Sequence, residues 1–367
     1  MSFEWSAAAA FDLGGSIIDV QPYGRGLIND TYLVRVDADP PRRAILQRIN
    51  RRVFPEPELI TQNLRTLVEH ARRRRADAVP GARDLRLPDV YTTREGQDFV
   101  SDPQGGFWRA QSFIEHTRTV GTLTDPGQAE EVGHALGRFH ALIHDLDPNR
   151  LHETLPGFHN TPRYLARYTE VAARPRRAPD GADLRQCLAF VEARRPLAEV
   201  LETAKRADRL ALRPIHGDPK LDNFLFDVRS GRAASLIDLD TVQPGLIHYD
   251  IGDCLRSCCN PAGESPADLA AVHFDLDLCR AILKGYLSEA RGFLTAQDYG
   301  HLYHAIRLIP FELGVRFLTD HLEGDRYFKT DAPGRNLHRA RVQFRLTESI
   351  EQHAREIEGL IAGLGGI

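Results

Sequence analysis

The stretch "IHGDPKLDNFLFD", residues 215–227, decides how this chain is read. Gly217 marks a tight turn, and such a loop exposes the carboxylate of Asp218. Lys220 follows two residues after Asp218, and Asn223 five residues after it. "NFLFD" then reads as a β-strand, "VRSGR" (228–232) as a turn, and "AASLIDLD" (233–240) as a returning strand. Antiparallel pairing sets Asn223, at the start of the first strand, beside Asp238, at the end of the second. One small region thus gathers a carboxylate, an ammonium and two hard oxygen donors. Phosphoryl transfer from ATP demands such a set: a group that orients the acceptor hydroxyl and takes its proton, cations that offset charge on the phosphoryl oxygens, and a donor held in line. Asp218 suits the first role. Asn223 and Asp238 are oxygen ligands of the kind Mg²⁺ prefers. Lys220 stands out because only four of the 47 basic residues are lysines (Lys205, Lys220, Lys284 and Lys329).

Outward from this motif, the first 113 residues read as strands with one helix inserted. "TYLVRV" (31–36), "RAILQRIN" (43–50) and "GGFWRAQSFIE" (105–115) are the β-like runs. "PEPELITQNLRTLVEHARRRR" puts Leu59, Ile60, Leu64, Leu67 and Val68 at helical spacing, with Pro57 suited to the first turn. Beyond the hinge, helices dominate. One is expected to be capped by Asp125 with Pro126 behind it, a second by Thr161 with Pro162, and others to cover 183–210, 266–293, 296–321 and 336–362. The expected fold class is α+β. Residues 1–113 form a small β-rich nucleotide-binding lobe, 114–118 a hinge, and 119–367 a large, mainly helical lobe with the catalytic loop and substrate site.

Composition narrows the function classes. Hydrophobic residues make up 42% and charged residues 27%, with a formal charge of −4, as in a soluble globular protein. Basic residues are scattered, so no nucleic-acid footprint is expected, and "RRRR" at 72–75 reads as a solvated helix C-terminus. No apolar run is long enough to span a membrane. The opening segment "MSFEWSAAAAFDLGG" carries Glu4 and Asp12 without a basic region, unlike a signal peptide. Cys254, Cys258 and Cys259 cluster without a C-x-x-C pair and read as packing thiols. A cytoplasmic protein, monomeric or a simple homodimer, is expected.

The spacing Asp218-x-Lys220-x-x-Asn223 is similar to that of the serine/threonine protein-kinase catalytic loop. With the hairpin and the I-D-x-D of Asp238 and Asp240, the set resembles the aminoglycoside phosphotransferase/choline kinase superfamily. That resemblance implies a protein-kinase-like two-lobed fold, with ATP and Mg²⁺ as cofactors. It also implies Asp218 as base, Lys220 as neutraliser of the transferring phosphate, and Asn223 and Asp238 as metal ligands. Asp240 falls in a supporting place, and Asp250 of "YDIGD" anchors the loop. On the nucleotide side, Gly24 and Gly26 of "YGRGLINDTYLV" let backbone N–H groups approach phosphates. No Lys precedes position 205, so the third-strand lysine of protein kinases is missing. Gln47, Arg48 and the loop residue Arg25 are its candidate replacements. Adenine is expected against hinge backbone groups near Ile114–His116. The lack of an A-P-E-like segment argues against a protein kinase.

"GLINDTYLV", "LQRINRRVFPEPE", "FIEHTRTV", "GFHNTPRY", "DLDTVQPGL" and "ELGVRFLTDHLEGDRYFKT" together resemble N-acetylhexosamine 1-kinases over about residues 15–355. The resemblance implies a sugar held by Asp218, Thr241, Arg316 and Tyr327, with transfer to O1. Those kinases carry His where this chain has Leu27, which removes one polar contact and puts the hexosamine preference in question. Purely structural readings stand beside these: an ion pair of Arg316 with Glu312 or Asp320, and packing of Tyr327 on Phe317 or Phe328; His159 and Asn160 are further candidate sugar contacts, with a helix-start turn as their structural reading. A second functional reading is a kinase for an aminoglycoside or amino alcohol, with Asp320, Glu323 and Asp325 forming an acidic pocket. A third is an inactive nucleotide-binding regulator.

Overall fold

The computed structural model describes residues 2–24, 28–76, 83–175 and 181–366. It has two lobes, a small β-rich one and a larger helical one, the α+β architecture expected. The small lobe opens with α1 (Phe3–Ala10), a helix missed by periodicity because its alanine run carries no marked apolar face. There follow β1 (Ser16–Pro22), β2 (Asp30–Asp37), β3 (Arg42–Ile49), α2 (Pro57–Ala76), β4 (Val90–Tyr91), β5 (Val100–Ser101) and β6 (Phe107–Ser112). The strands pair antiparallel in the order β1-β2-β3-β6-β4, with β5 also on β6.

Strand alternation divides the sheet into two chemistries. Val34, Val36, Ala44, Leu46, Trp108 and Ala110 form an apolar face with α1. On the other face Thr31, Gln47 and Arg109 lie in register across β2, β3 and β6. Leu64, Leu67, Val68 and Ala71 of α2 share one core with the helical lobe, so this helix couples the two lobes. Its basic end is paired, with Arg72 and Arg74 exposed and Arg75 partly buried: Arg72 with Asp89, Arg74 with Asp145, Arg75 with Asp84.

The helical lobe begins with β7 (Thr117–Arg118) and α3 (Pro126–Ile143). Asp125 caps α3 as expected, accepting from the Gly127 N–H. α4 (Thr161–Ala172) is capped by Asn160 rather than Thr161, because the Thr161 hydroxyl donates to Glu312 instead. Then come α5 (Ala182–Arg194), α6 (Glu199–Arg206), β8 (Arg213–Ile215), β9 (Phe224–Asp227), β10 (Ala233–Leu236), β11 (Gln243–Gly245) and α7 (Ile247–Cys258). α8 covers only Leu276–Ala290 of the expected 266–293, and α9 is Ala296–Leu322. The expected helix over 336–362 is two, α10 (Arg335–Gln352) and α11 (Ala354–Gly365), parted at His353.

α3 and α8 meet backbone to backbone at Gly133 and Gly285, where an added Cβ would stand 2.0 and 2.1 Å from a carbonyl oxygen. All five cysteines are free and buried, as packing thiols are. Among the described residues no helix is long and apolar enough to cross a membrane.

Candidate active site

The site is built on the turn between β8 and β9. Gly217 has φ +87°, and a Cβ there would lie 2.7 Å from the Thr241 carbonyl oxygen, so only glycine fits. Asp250, in the first turn of α7, accepts from the His216 N–H at 2.7 Å and the Gly217 N–H at 2.8 Å. Its Oδ2 also pairs with His140 Nε2 at 2.8 Å. Burial opposes this charge, but the His140 hydrogen bond and the neighbouring imidazoles hold Asp250 below the usual carboxylate range. The anchoring expected of Asp250 is what the structure contains.

Asp218 projects from this anchored turn, partly open to solvent. Lys220 Nζ stands 2.5 Å from Asp218 Oδ2. Burial works against the ammonium, yet Asp218 and Asp238 outweigh it and keep Lys220 charged. The hairpin pairs Phe224 with Leu236. Just before that pair, the Ile237 N–H donates to the Asn223 carbonyl at 2.9 Å, which brings Asn223 beside Asp238. Asn223 gives its amide N–H to the Asp218 carbonyl at 2.7 Å, which leaves its side-chain carbonyl oxygen as the acceptor on offer. Asp238 takes the left-handed conformation, φ +64°. Its carboxylate opens on solvent and has no hydrogen-bonding partner among the described residues. Packing around the carboxyl and the neighbouring Asp240 raise its pKa above the ordinary carboxylate value, against the pull of the Lys220 ammonium. A neutral amide oxygen beside an unpaired carboxylate fits Mg²⁺, which takes one or two protein oxygens and completes its shell with phosphates and water.

Asp240 does not share that duty. One of its oxygens takes a close bond from the Arg109 guanidinium, and the other accepts from Asn29 Nδ2 at 2.7 Å. Arg109 also donates from Nε and Nη2 to Gln47 Oε1 at 3.1 and 2.7 Å. Its Nη1 is buried without a partner among the described residues. Asp240 is therefore a tie between lobes. Of the candidates for the missing lysine, Gln47 faces this network. Arg48 lies on the opposite sheet face, 5.8 Å from the Trp108 ring centre, and is excluded from the cleft by strand alternation. Arg25, Gly26 and Leu27 lie outside the described residues, while Gly24 keeps a turn conformation at φ +76°. Sequence reasoning missed Arg109. The one available signal was its position directly after a buried-type Phe107-Trp108 pair in an alternating strand.

The hinge is polarised. The Ile114 carbonyl accepts from Thr117 Oγ1, that of Glu115 from Arg86 Nη1, and that of His116 from the Val228 N–H. The N–H groups of these residues make no backbone hydrogen bond among the described residues.

On the acceptor side, Thr241 Oγ1 donates to the His216 carbonyl at 2.8 Å, which sets it against the Gly217 turn. His159 spans two supports, with Nε2 2.9 Å from the Gly217 carbonyl and Nδ1 3.0 Å from Glu312. The helix-start reading holds for Asn160 but not for His159, which buttresses the catalytic turn. Arg316 sits among Phe158, Tyr164 and Phe328, 5.0–5.5 Å from the ring centres. It forms no ion pair with Glu312 or Asp320. Glu312 is engaged by His159 and Thr161. Asp320 accepts from the N–H groups of Arg326, Tyr327 and Phe328 and from Asn336. Burial disfavours the Arg316 charge, but Tyr164, Tyr327, Glu312 and Asp218 keep it protonated. Tyr327 packs edge-on against Phe328, yet stays 49% exposed, so the phenol is free to meet a ligand.

The acidic pocket drawn from Asp320, Glu323 and Asp325 is not free. Asp320 holds the loop after α9, Glu323 pairs with Arg167 and Arg174, and Asp325 accepts from Asn336.

The profile of the Phosphotransferase enzyme family (APH) matches residues 19–283, most of the chain. A microcompartment-associated aminopropanol kinase superposes with a TM-score of 0.62 at 16% identity, covering 96% of this chain and 97% of its own. An aminoglycoside phosphotransferase from Alicyclobacillus acidocaldarius subsp. acidocaldarius gives 0.59 at 15% identity, covering 98% and 97%. The Plasmodium vivax ethanolamine kinase gives 0.53 at 15% identity, covering 88% and 80%. At these identities the structures share the fold.

Proposed function

The chain belongs to the phosphotransferase enzyme family, and on that footing we propose that it transfers the γ-phosphoryl group of ATP to a hydroxyl of a small polyhydroxylated acceptor. It is an ATP-dependent phosphotransferase by fold and family. Kinases of this family depend in general on ATP and Mg²⁺. Asp218 accepts the acceptor proton, and Lys220 offsets charge on the phosphoryl group in transit. Asn223 and Asp238 hold Mg²⁺, which neutralises phosphate oxygens when bound. Gln47 and Arg109 face the nucleotide side, and the hinge N–H groups near Ile114–His116 meet the base. One observation carries this reading: Asp218 and Lys220 lie 2.5 Å apart beside the hairpin that joins Asn223 to Asp238. Asp218→Asn is expected to lower kcat by about 10²–10⁴-fold with little change in the KM for ATP, read by coupled ADP release. Wild-type turnover in that variant would remove Asp218 from the role.

For the acceptor we favour a sugar that carries no ammonium group, an N-acetylhexosamine or related hexose phosphorylated at O1 and held by Thr241, Arg316 and Tyr327. Arg316 supports this: a guanidinium without a carboxylate partner suits hydroxyl oxygens and repels an ammonium. A kinase for amino alcohols or aminoglycosides is the second reading, and among the comparisons it has the better support. The superposed structures are named as kinases of that kind, and none of those reported is named a hexosamine kinase. An ADP-release screen across hexoses, hexosamines, amino alcohols and aminoglycosides separates the two. Loss of the reducing-end proton signal in the product marks transfer to O1, and a retained reducing end rules it out.

A further inference from the structure

A cavity of about 270 Å³ opens where the end of the small-lobe sheet meets the loop after α9. Its volume is that of several waters, enough for a phosphate or carboxylate group with part of a sugar ring. Three cations, Arg48, Arg51 and Lys329, line it with one carboxylate, Asp30, and Asp102 stands behind Gly106 close to Arg48. Arg51 pairs with Glu58 at 3.0 Å. Lys329 and Arg48 have no ion-pair partner among the described residues. Arg48 is thus a cation that the nucleotide cleft does not use, and Lys329 is an exposed one.

The cavity is tied to the candidate site by a hydrogen-bond chain and by a loop. Asn50, in its wall, donates its backbone N–H to Asn29 Oδ1 at 3.0 Å, and Asn29 in turn holds Asp240. Lys329 stands two residues beyond Tyr327, on a loop that Asp320 fixes through three backbone N–H groups. The two arginines come from one lobe and the lysine from the other. Like charges facing each other across the gap oppose its narrowing, and an anion between them reverses the sign.

We infer that this cavity is an anion subsite that receives a phosphate or carboxylate group carried by the acceptor, at the end remote from the hydroxyl that is phosphorylated. The inference rests on the sugar reading above and narrows it to acidic or already phosphorylated sugars. It assigns Lys329 as a specificity residue and makes the acceptor's own anion the element that draws the lobes together.

Calorimetric titration of the full-length protein, with ADP present, tests this with three probes: glucose, glucose 6-phosphate and inorganic phosphate. Glucose 6-phosphate is expected to bind at least about tenfold more tightly than glucose. Lys329→Met removes that preference without changing glucose binding or the melting temperature, and Lys329→Arg keeps it. Inorganic phosphate that competes with glucose 6-phosphate but not with glucose extends the site to free phosphate. Phosphate that does not bind confines the site to groups borne by the sugar. Either result supports the subsite. Equal binding of the two sugars, a preference that survives both Lys329→Met and Arg51→Met, or no binding of any probe at millimolar concentration overturns it. The kinase reading fails separately: a chain that prefers glucose 6-phosphate but never turns over ATP keeps the subsite and loses the activity. One that phosphorylates neutral sugars and ignores anions does the reverse.

Discussion

Single residues at the catalytic turn are held with little tolerance. Gly217 combines a positive φ with a Thr241 carbonyl 2.7 Å from any added Cβ. Gly217→Ala must therefore move either Asp218 or the Thr241 backbone. An outcome of about 1–3 kcal/mol less stability is expected in urea titration. A fall in kcat of about 10²-fold is expected alongside it, because small misplacements of a reacting group are that costly. A variant of unchanged stability and rate would mean that the turn has slack the structure does not contain. Asp218, Lys220, Asn223 and Asp238 were legible in sequence because their geometry is local: one turn and one hairpin set it. Arg109 was not. Its carboxylate partner lies 131 residues away, and in an alternating strand a buried arginine has the same letter as a solvated one. Arg48 shows the converse, since its proximity to Gln47 in sequence places it on the wrong face of the sheet.

At the scale of elements, the turn that leads into α4 is joined to α9 by a buried ion pair, His159 with Glu312. Burial acts against both charges. Even so, Glu312 raises the His159 pKa above its ordinary 6.5, and His159 lowers that of Glu312 below its ordinary 4.5. The signs fix the pH window. The His159 contribution is complete below pH 6.5 and is lost as pH rises through the raised value. The Glu312 contribution is complete above 4.5 and is lost as pH falls through the lowered value. His159→Gln is therefore expected to melt well below wild type near pH 6, by about 3–5 kcal/mol for a buried charge left alone, with the gap narrowing in alkali. Melting curves across pH check this, and a gap independent of pH would show that the pair is not ionised. The N-cap of α3 was legible from Asp125 and Pro126. The cap of α4 slipped by one residue because Thr161 bonds to Glu312 across 151 residues, a partner no local pattern reveals. The break at His353 carries no Gly or Pro to mark it, so α10 and α11 read as one helix.

Across the whole molecule, the change from strands to helices along the sequence made the two lobes legible, but not what joins them. Two joints do so. The apolar face of α2 continues into the core of the helical lobe, and Asp240 reaches up to Arg109 and Asn29 of the sheet. The second joint puts Asp240, two residues beyond Asp238, in direct contact with the sheet, and on the function proposed above it would link nucleotide binding to acceptor geometry. Arg109→Met leaves the Asp240 carboxylate buried without its cation, at a cost of about 3–5 kcal/mol. Asp240→Asn leaves Arg109 in the same position. The two losses describe one interaction, so the double variant is expected to cost less than their sum by about 0.5–3 kcal/mol in urea titration. If nucleotide binding acts through this joint, the KM for ATP and that for the acceptor rise together in each single variant. Additive stabilities with only the ATP constant altered would make Arg109 a nucleotide contact and no tie between lobes. The Nη1 of Arg109, unpartnered among the described residues, then becomes the group to follow, since phosphate oxygens suit a guanidinium donor.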